Sequence, residues 1–494
     1  MSKPALLIER VAEFGPQQSL LSEQGRASYH QWLDAASRVA SALLAGRRDL
    51  EESRVGYLVE PGIDHVAAQW GIWLAGGIAV PIAQSHPARE IEYLLDNSEA
   101  TSTIASPELA SRLAPLAEAR GIRLLTTDAA RLHSPAPLPV IGPDRRALMV
   151  YTSGTTGRPK GVITTHAAIQ AQVSTLANAW EWTHHDRSLH LLPLHHIHGI
   201  INALSCALWV GASIEFLGSF NAERTWERLA SGEITFFTAV PTIYHRLIAS
   251  YDLADRPTRQ RWSGGASQLR VMLSGSAALP VSTLLRWEAI TGHRLLERYG
   301  MTEIGMALSN PLHGERRAGT VGMPLPGVQA RLVDDGGAPV PAGVAGQIEI
   351  KGPQLFLEYW GRGEETAKEF RDGWFQTGDV AQIEDGYWRI LGRQSVDIIK
   401  SAGYKISALE IEEVLREHPN ITDCAVIGRP DPDLGERVAA AIVSSIDLAP
   451  EEVRAWLKDR LAPYKVPRDV LQVAELPRNA MGKVTKPELR SRFP

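Results

Sequence analysis

The sequence predicts an α/β protein: a large N-terminal domain of several subdomains, layered α/β plus a β-rich part, and a small α+β C-terminal domain. Short β-rich runs such as Ala147–Tyr151, Ser188–Leu192, Ile234–Val240 and Leu269–Leu273 alternate with helix-like segments, as layered α/β architecture requires. Between Thr320 and Tyr359 the character changes to a β-rich part, with VQARLVD and GQIEIKG reading as strands joined by the Pro/Gly turn GGAPVPAG. A hairpin signal at Asp385-Gly386 then leads into a final stretch with amphipathic helices of its own. The last hundred or so residues thus read as a compact unit of their own.

Taken in order, the most apolar window, Val66 to Ala83, is interrupted by Gln69, Gly76, Gly77 and Pro81. It reads as a buried helix stopped at Gly76 and followed by the strand Ile78–Ile82, because a membrane helix needs about 20 mainly apolar residues. In the last domain, Ser407 with Glu410 three residues on predicts a capping box, and Ile411, Val414 and Leu415 supply one apolar face. A second helix follows Pro450, with Val453, Trp456, Leu457 and Leu461 at helical spacing, and ends before Pro463.

Composition narrows the function classes. With 44% hydrophobic and 22% charged residues the chain is ordinary globular material, so disordered and low-complexity classes drop out. A net charge of −5 offers no broad positive field, so neither nucleic acid nor a membrane surface is an expected partner. Cys206 and Cys424 are far apart and form no disulfide framework, which fits a reducing cytoplasm. The start, MSKPALLIERVAEF, lacks the basic and apolar regions of a signal peptide. Composition says nothing about oligomeric state.

The segment YTSGTTGRPKG, Tyr151 to Gly161, follows a strand and combines small hydroxyls, glycines and a lysine. Such a loop wraps an anion: glycines let backbone N–H groups approach oxygens, hydroxyls donate further hydrogen bonds, and Lys160 adds a point charge. Its spacing, G-x-x-G-x-x-K with glycine after the lysine, is not that of G-x-x-x-x-G-K-[ST], which disfavours an ordinary P-loop hydrolase. No G-x-S-x-G or G-x-G-x-x-G fingerprint supports a serine hydrolase or a dinucleotide oxidoreductase.

This loop resembles the signature of the adenylate-forming superfamily, and further matches follow in that superfamily's order: LERYGMTE (Leu296 to Glu303), WFQTGD (Trp374 to Asp379), ILGR (Ile390 to Arg393), SAGYKIS (Ser401 to Ser407) and PRNAMGKV (Pro477 to Val484). The resemblance implies an AMP-forming acid–thiol ligase in which a carboxylate attacks ATP and the thiol of coenzyme A then displaces AMP. By the same resemblance Thr152, Ser153, Gly154, Thr155, Thr156, Gly157 and Lys160 hold the β- and γ-phosphates. Tyr299 faces adenine beside Gly300 and Met301, Asp379 and Arg393 hold the ribose, and Thr302 and Glu303 sit at the α-phosphate. Glu303 would also hold Mg²⁺, a hard cation suited to oxygen. Lys483 would be the catalytic lysine, stabilising charge between the attacking carboxylate and the α-phosphate. The resemblance also implies a boundary after Arg393, giving domains of residues 1–393 and 394–494, the second a mobile, swinging one hinged near Ser395, where relatives commonly carry Asp or Lys, with Gly403 lining the coenzyme A tunnel.

For the acid, Arg298, Arg246 and His198 fall on segments that border the acyl pocket in relatives, and guanidiniums suit a second carboxylate. With VMLSGSAALP and LERYGMTEIGMALSNPL the chain resembles malonyl-CoA and methylmalonyl-CoA synthetases, implying a small dicarboxylate substrate. Alternatives remain at this point: another small acid such as acetate or an aryl acid, or an adenylating enzyme loading a carrier protein. Arg298 could instead pair with Glu297 or Glu303, Arg246 could be a helix-surface charge, and His195, His196 and His198 could suggest a metal, although no further ligand set converges on them.

Overall fold

The computed structural model describes residues 7–15, 18–23, 25–152, 158–402, 404–478 and 484–493. Two large sheets form the N-terminal body. The nine-stranded sheet has a parallel centre made by Arg187–His190, Ser213–Phe216, Phe236–Ala239, Val271–Ser274 and Leu296–Met301. The seven-stranded sheet has Arg54–Leu58, Ile78–Pro81, Ser102–Ala105, Arg123–Thr126 and Arg146–Thr152 in parallel, edged by the antiparallel Lys160–Thr165 and Glu358–Tyr359. Parallel strands are covered on both faces, which is why these segments read as apolar runs rather than alternations.

Helices Tyr29–Leu44 and Ile63–Leu74 pack together in the core, bringing Trp32, Trp70 and Trp73 into a fully buried cluster. The first starts at a complete capping box, in which Gln31 N–H donates to the Ser28 hydroxyl and Ser28 N–H to the Gln31 carboxamide. The helix expected to stop at Gly76 ends at Leu74, and Gly76 follows at φ 79°. The β-rich part is a separate five-stranded sheet of Gln329–Val333, Gly346–Lys351, Phe370–Arg371, Trp374–Glu384 and Tyr387–Arg393. Its hairpin turns at Asp385 and Gly386, both at positive φ (49° and 86°), as a two-residue type I′ turn demands.

The chain changes sheet between Arg393 and Ile398. Ile398–Ser401, Tyr404–Ser407, Ile421–Asp431, Gly435–Ser444 and Asp469–Gln472 form the last sheet, and Ala408–Arg416 and Pro450–Lys458 close over a core of its own. The capping box expected at Ser407 is only half formed. Its hydroxyl accepts from Glu410 N–H at 3.2 Å, but the Glu410 carboxylate is taken by Lys465 at 2.6 and 2.8 Å. Among the described residues, no helix is long and apolar enough to cross a membrane.

Candidate active site

Strands Phe236–Ala239, Val271–Ser274 and Leu296–Met301 run parallel, so their carboxyl ends open on one side and deliver Thr238, Gly275, Ser276 and the 298–303 segment together. Open α/β sheets bind ligands at such ends. Facing them is a π-helix, His198–Ser205, an uncommon element that concentrates at functional sites. Inside it the Ser205 hydroxyl donates to Ile200 C=O at 2.7 Å.

His198 is buried and gripped on both ring nitrogens: Nε2 lies 2.9 Å from Thr238 Oγ1 and Nδ1 3.0 Å from Ser276 Oγ. Burial first, and the Arg298 charge second, push its pKa well below the usual histidine value, so the ring is neutral and binds as one donor and one acceptor. Arg298 is 3% exposed, and none of its three guanidinium nitrogens meets a hydrogen-bond partner among the described residues. Burial pushes its pKa down to about 9, which still leaves a cation at neutral pH. The guanidinium lies against Gly275, where an added Cβ would come within 2.5 Å of Nη1.

Neither acid considered as an ion-pair partner for Arg298 takes that part. Glu297, adjacent on the strand, points to the opposite face and accepts from Leu279 N–H at 3.3 Å. Glu303 accepts from the Tyr359 hydroxyl at 3.0 Å. Arg246 is exposed on the helix Pro241–Leu253, with its guanidinium 6.0 Å from the Phe220 ring centroid, and takes no part in the hydrogen bonds around His198. The buried positions of that helix are Pro241, Tyr244 and Leu247, and Arg246 falls between them. Among the described residues no group of three or more His, Cys, Asp and Glu is placed to hold a metal ion.

On the other side of Thr302, Asp379 receives the Tyr299 hydroxyl on Oδ2 at 2.6 Å and Arg393 Nε on Oδ1 at 3.1 Å. Each carboxylate oxygen keeps a lone pair for a further donor. Gly300 is obligatory here, because a Cβ would lie 2.0 Å from the Gly305 carbonyl oxygen across the bulged hairpin. Met301 and Thr302 follow, partly exposed, and Glu303 is buried, its pKa raised by that burial. Lys160 is 7% exposed at the start of its strand, 2.5 Å from Glu365 and 3.8 Å from Glu369. Thr152 ends the preceding strand. Ser395 lies in the short connection between the two sheets it was expected to hinge. Ser153, Gly154, Thr155, Thr156, Gly157, Gly403 and Lys483 lie outside the described residues.

Thr238, Gly275, Ser276, Tyr359 and Glu365 join the site without having been singled out in the sequence. Gly275 and Ser276 are within VMLSGSAALP, directly after a strand, and that position was the available signal. For an Mg²⁺ ion the donor set fits: one carboxylate, Glu303, and the Thr302 hydroxyl offer oxygen only, and magnesium is usually held by one or two carboxylates plus substrate phosphates.

The family model described as AMP-binding enzyme matches residues 8–360, and that of the AMP-binding enzyme C-terminal domain matches residues 410–483. The mouse (Mus musculus) protein named malonate–CoA ligase ACSF3, mitochondrial, is 44% identical over 519 residues, covering 97% of this chain and 89% of the relative. The malonate–CoA ligase of Arabidopsis thaliana is 43% identical, covering 90% and 79%. Among solved structures, ATP-bound MatB from Rhodopseudomonas palustris superposes with a TM-score of 0.91 at 34% identity, covering 99% of both chains. The chain belongs to the AMP-binding enzymes, the adenylate-forming family.

Proposed function

We propose that this protein is an ATP-dependent malonate:CoA ligase, forming malonyl-CoA through an acyl-adenylate with release of pyrophosphate and AMP. The reaction class follows from the family and from relatives named as malonate–CoA ligases. The observation that carries the acid is Arg298, a buried guanidinium without a hydrogen-bond partner among the described residues. An uncompensated buried charge costs several kcal/mol, so the pocket is made for an anion to enter. Acetate and aryl acids bring no second carboxylate to meet it, whereas malonate binds the fork with two parallel N–H···O bonds. Methylmalonate shares that anion, and one extra methyl is worth only about 1 to 3 kcal/mol of discrimination.

In the first half-reaction, the distal carboxylate of malonate rests on Arg298 beside the neutral His198, and the proximal one is aimed across Thr302 at the α-phosphate. Asp379 and Arg393 hold the ribose against Tyr299. Lys160 with the loop 152–157 binds the β- and γ-phosphates, and Lys483 stabilises the charge developing at the reacting oxygen. Glu303 and Thr302 would hold Mg²⁺, which when bound neutralises phosphate charge. In the second half-reaction the unit of residues 394–494 turns about the Ser395 connection and brings Gly403 to the cleft, so that the coenzyme A thiol displaces AMP. A reducing compartment, read here as the cytoplasm, suits the two free, buried thiols Cys206 and Cys424, whereas several relatives are named mitochondrial.

Pyrophosphate release with malonate, methylmalonate, succinate and acetate tests the reading. Malonate is expected to give the highest kcat/KM, and preference for acetate would sink the dicarboxylate assignment. Arg298→Ala is expected to lower malonate kcat/KM on the order of a hundredfold or more, as for truncation of one member of a buried charge pair, with AMP affinity retained.

A further inference from the structure

The segment Phe356 to Trp360 crosses from the seven-stranded sheet to the turn that carries Glu303. On one side it is an edge strand: Leu357 N–H donates to Ile163 C=O and Trp360 N–H to Gly161 C=O, each at 2.8 Å. On the other side, Phe356 N–H donates to the Glu303 carbonyl at 2.8 Å, and the Tyr359 hydroxyl donates to Glu303 Oε1 at 3.0 Å. The same ring lies 4.6 Å from the Lys160 ammonium, measured to its centroid. Tyr359 is 3% exposed, and its own N–H donates to Thr366 Oγ1 at 3.0 Å, so ring and backbone are both held. One side chain therefore touches the signature-strand cation with its face and the buried carboxylate with its hydroxyl.

We propose that Tyr359 is a positioning residue for adenylate formation, fixing the spacing and orientation of Lys160 relative to Glu303. The inference rests on the reading above that these two residues act on ATP. Glu303 is 6% exposed, and the phenol supplies a hydrogen bond that bulk water does not. The cation over the ring meets Glu365 and Glu369 on its other sides, so the ammonium is placed by contacts from three directions. Misplacement of a reacting group by about 1 Å costs roughly a hundredfold in rate.

The full-length enzyme with ATP, Mg²⁺ and malonate provides the test, read as pyrophosphate release, KM for ATP, calorimetric affinity for a non-hydrolysable ATP analogue, and melting temperature. Tyr359→Phe keeps the ring under Lys160 and removes only the hydroxyl. It is expected to lower kcat about ten- to a hundredfold, the range for a hydrogen bond to a charged group, with analogue affinity within about twofold of the parent. Tyr359→Leu also removes the ring and is expected to weaken analogue binding about thirtyfold further, what a desolvated cation–π contact supplies. Glu303→Gln is the reference arm. If it is inactive while Tyr359→Phe turns over normally, the positioning role is wrong and the site assignment stands; if Glu303→Gln is fully active, the site assignment itself is wrong and the proposal goes with it. A crystal of the parent enzyme with AMP needs no variant: a Tyr359 hydroxyl more than about 3.5 Å from the Glu303 carboxylate overturns the proposal.

Discussion

On the proposed reading, Arg298 concentrates the chemistry of the acyl end. A guanidinium fork without a hydrogen-bond partner among the described residues, against a glycine and beside a neutral imidazole, is stable only if the rest of the fold holds it in place. Gly275 is part of that support. Gly275→Ala, whose Cβ would sit 2.5 Å from Nη1, is expected to displace the fork and lower malonate kcat/KM on the order of tenfold to a hundredfold while AMP affinity holds. Glu297 makes a contrasting case on the same strand. Burial pushes its pKa up to about 8, above its unfolded value of 4.5, so the folded chain keeps a proton that the unfolded chain loses over that interval. Stability contributed by this group therefore falls as pH rises from about 4.5 to 8. Glu297→Gln is expected to raise the melting temperature at pH 8 and to change it little near pH 4.5, so equal shifts at both pH values would contradict the burial argument.

Among the elements, the π-helix His198–Ser205 does most for the site, since it carries His198 to Thr238 and Ser276. Its wide turn is closed by the Ser205 hydroxyl on the Ile200 carbonyl. Ser205→Ala leaves a buried carbonyl without that donor, and a loss of about 1 to 3 kcal/mol in denaturant unfolding, with a raised malonate KM, is the expected result. Nothing in HGIINALS distinguishes a π-helix from an α-helix, because both present apolar residues at similar spacing and only the closing hydrogen bonds differ. The capping box at Ser407 shows the same limit. Ser407 and Glu410 had the right separation, yet a lysine fifty-five positions away competes for the carboxylate.

At the scale of the whole molecule, the last unit is fastened near its connection by Lys486, which reaches Asp397 at 2.6 Å and Glu412 at 2.8 Å, and Asp397 in turn accepts from the Arg393 N–H at 3.0 Å. Lys486→Met strands two partly or fully buried carboxylates. It is expected to cost about 3 to 5 kcal/mol, and hydrogen exchange should show that loss in residues 398–493 while the two large sheets stay protected. Loss of protection spread evenly over the chain would show instead that the two parts do not unfold separately. Contacts between them include the Ser407 hydroxyl donating to Leu391 C=O at 2.5 Å and Glu413, whose Oε1 accepts from Val281 N–H at 2.7 Å at the head of the helix Val281–Thr291.

Local chemistry alone settled the fold class, the alternation of strands and helices, the Asp385-Gly386 turn and the family. Each depends on neighbouring residues and on segments whose spacing is readable along the chain. The loop TSGTTGRPK and the residues Tyr299, Glu303, Asp379 and Arg393 could be singled out for that reason, and of these Tyr299 and Arg393 both hydrogen-bond Asp379. Partnership was not legible. Whether Arg298 paired with Glu297 turned on strand alternation, which sends adjacent side chains to opposite faces. Whether Arg246 joined it turned on helical phase against a core that many distant segments build. Tyr359 took its place because an edge strand from the β-rich region pairs with Lys160–Thr165, a contact between positions nearly two hundred residues apart. Only the tertiary structure could decide these, since burial and hydrogen-bond choice are set by competition among groups that the linear order keeps separate.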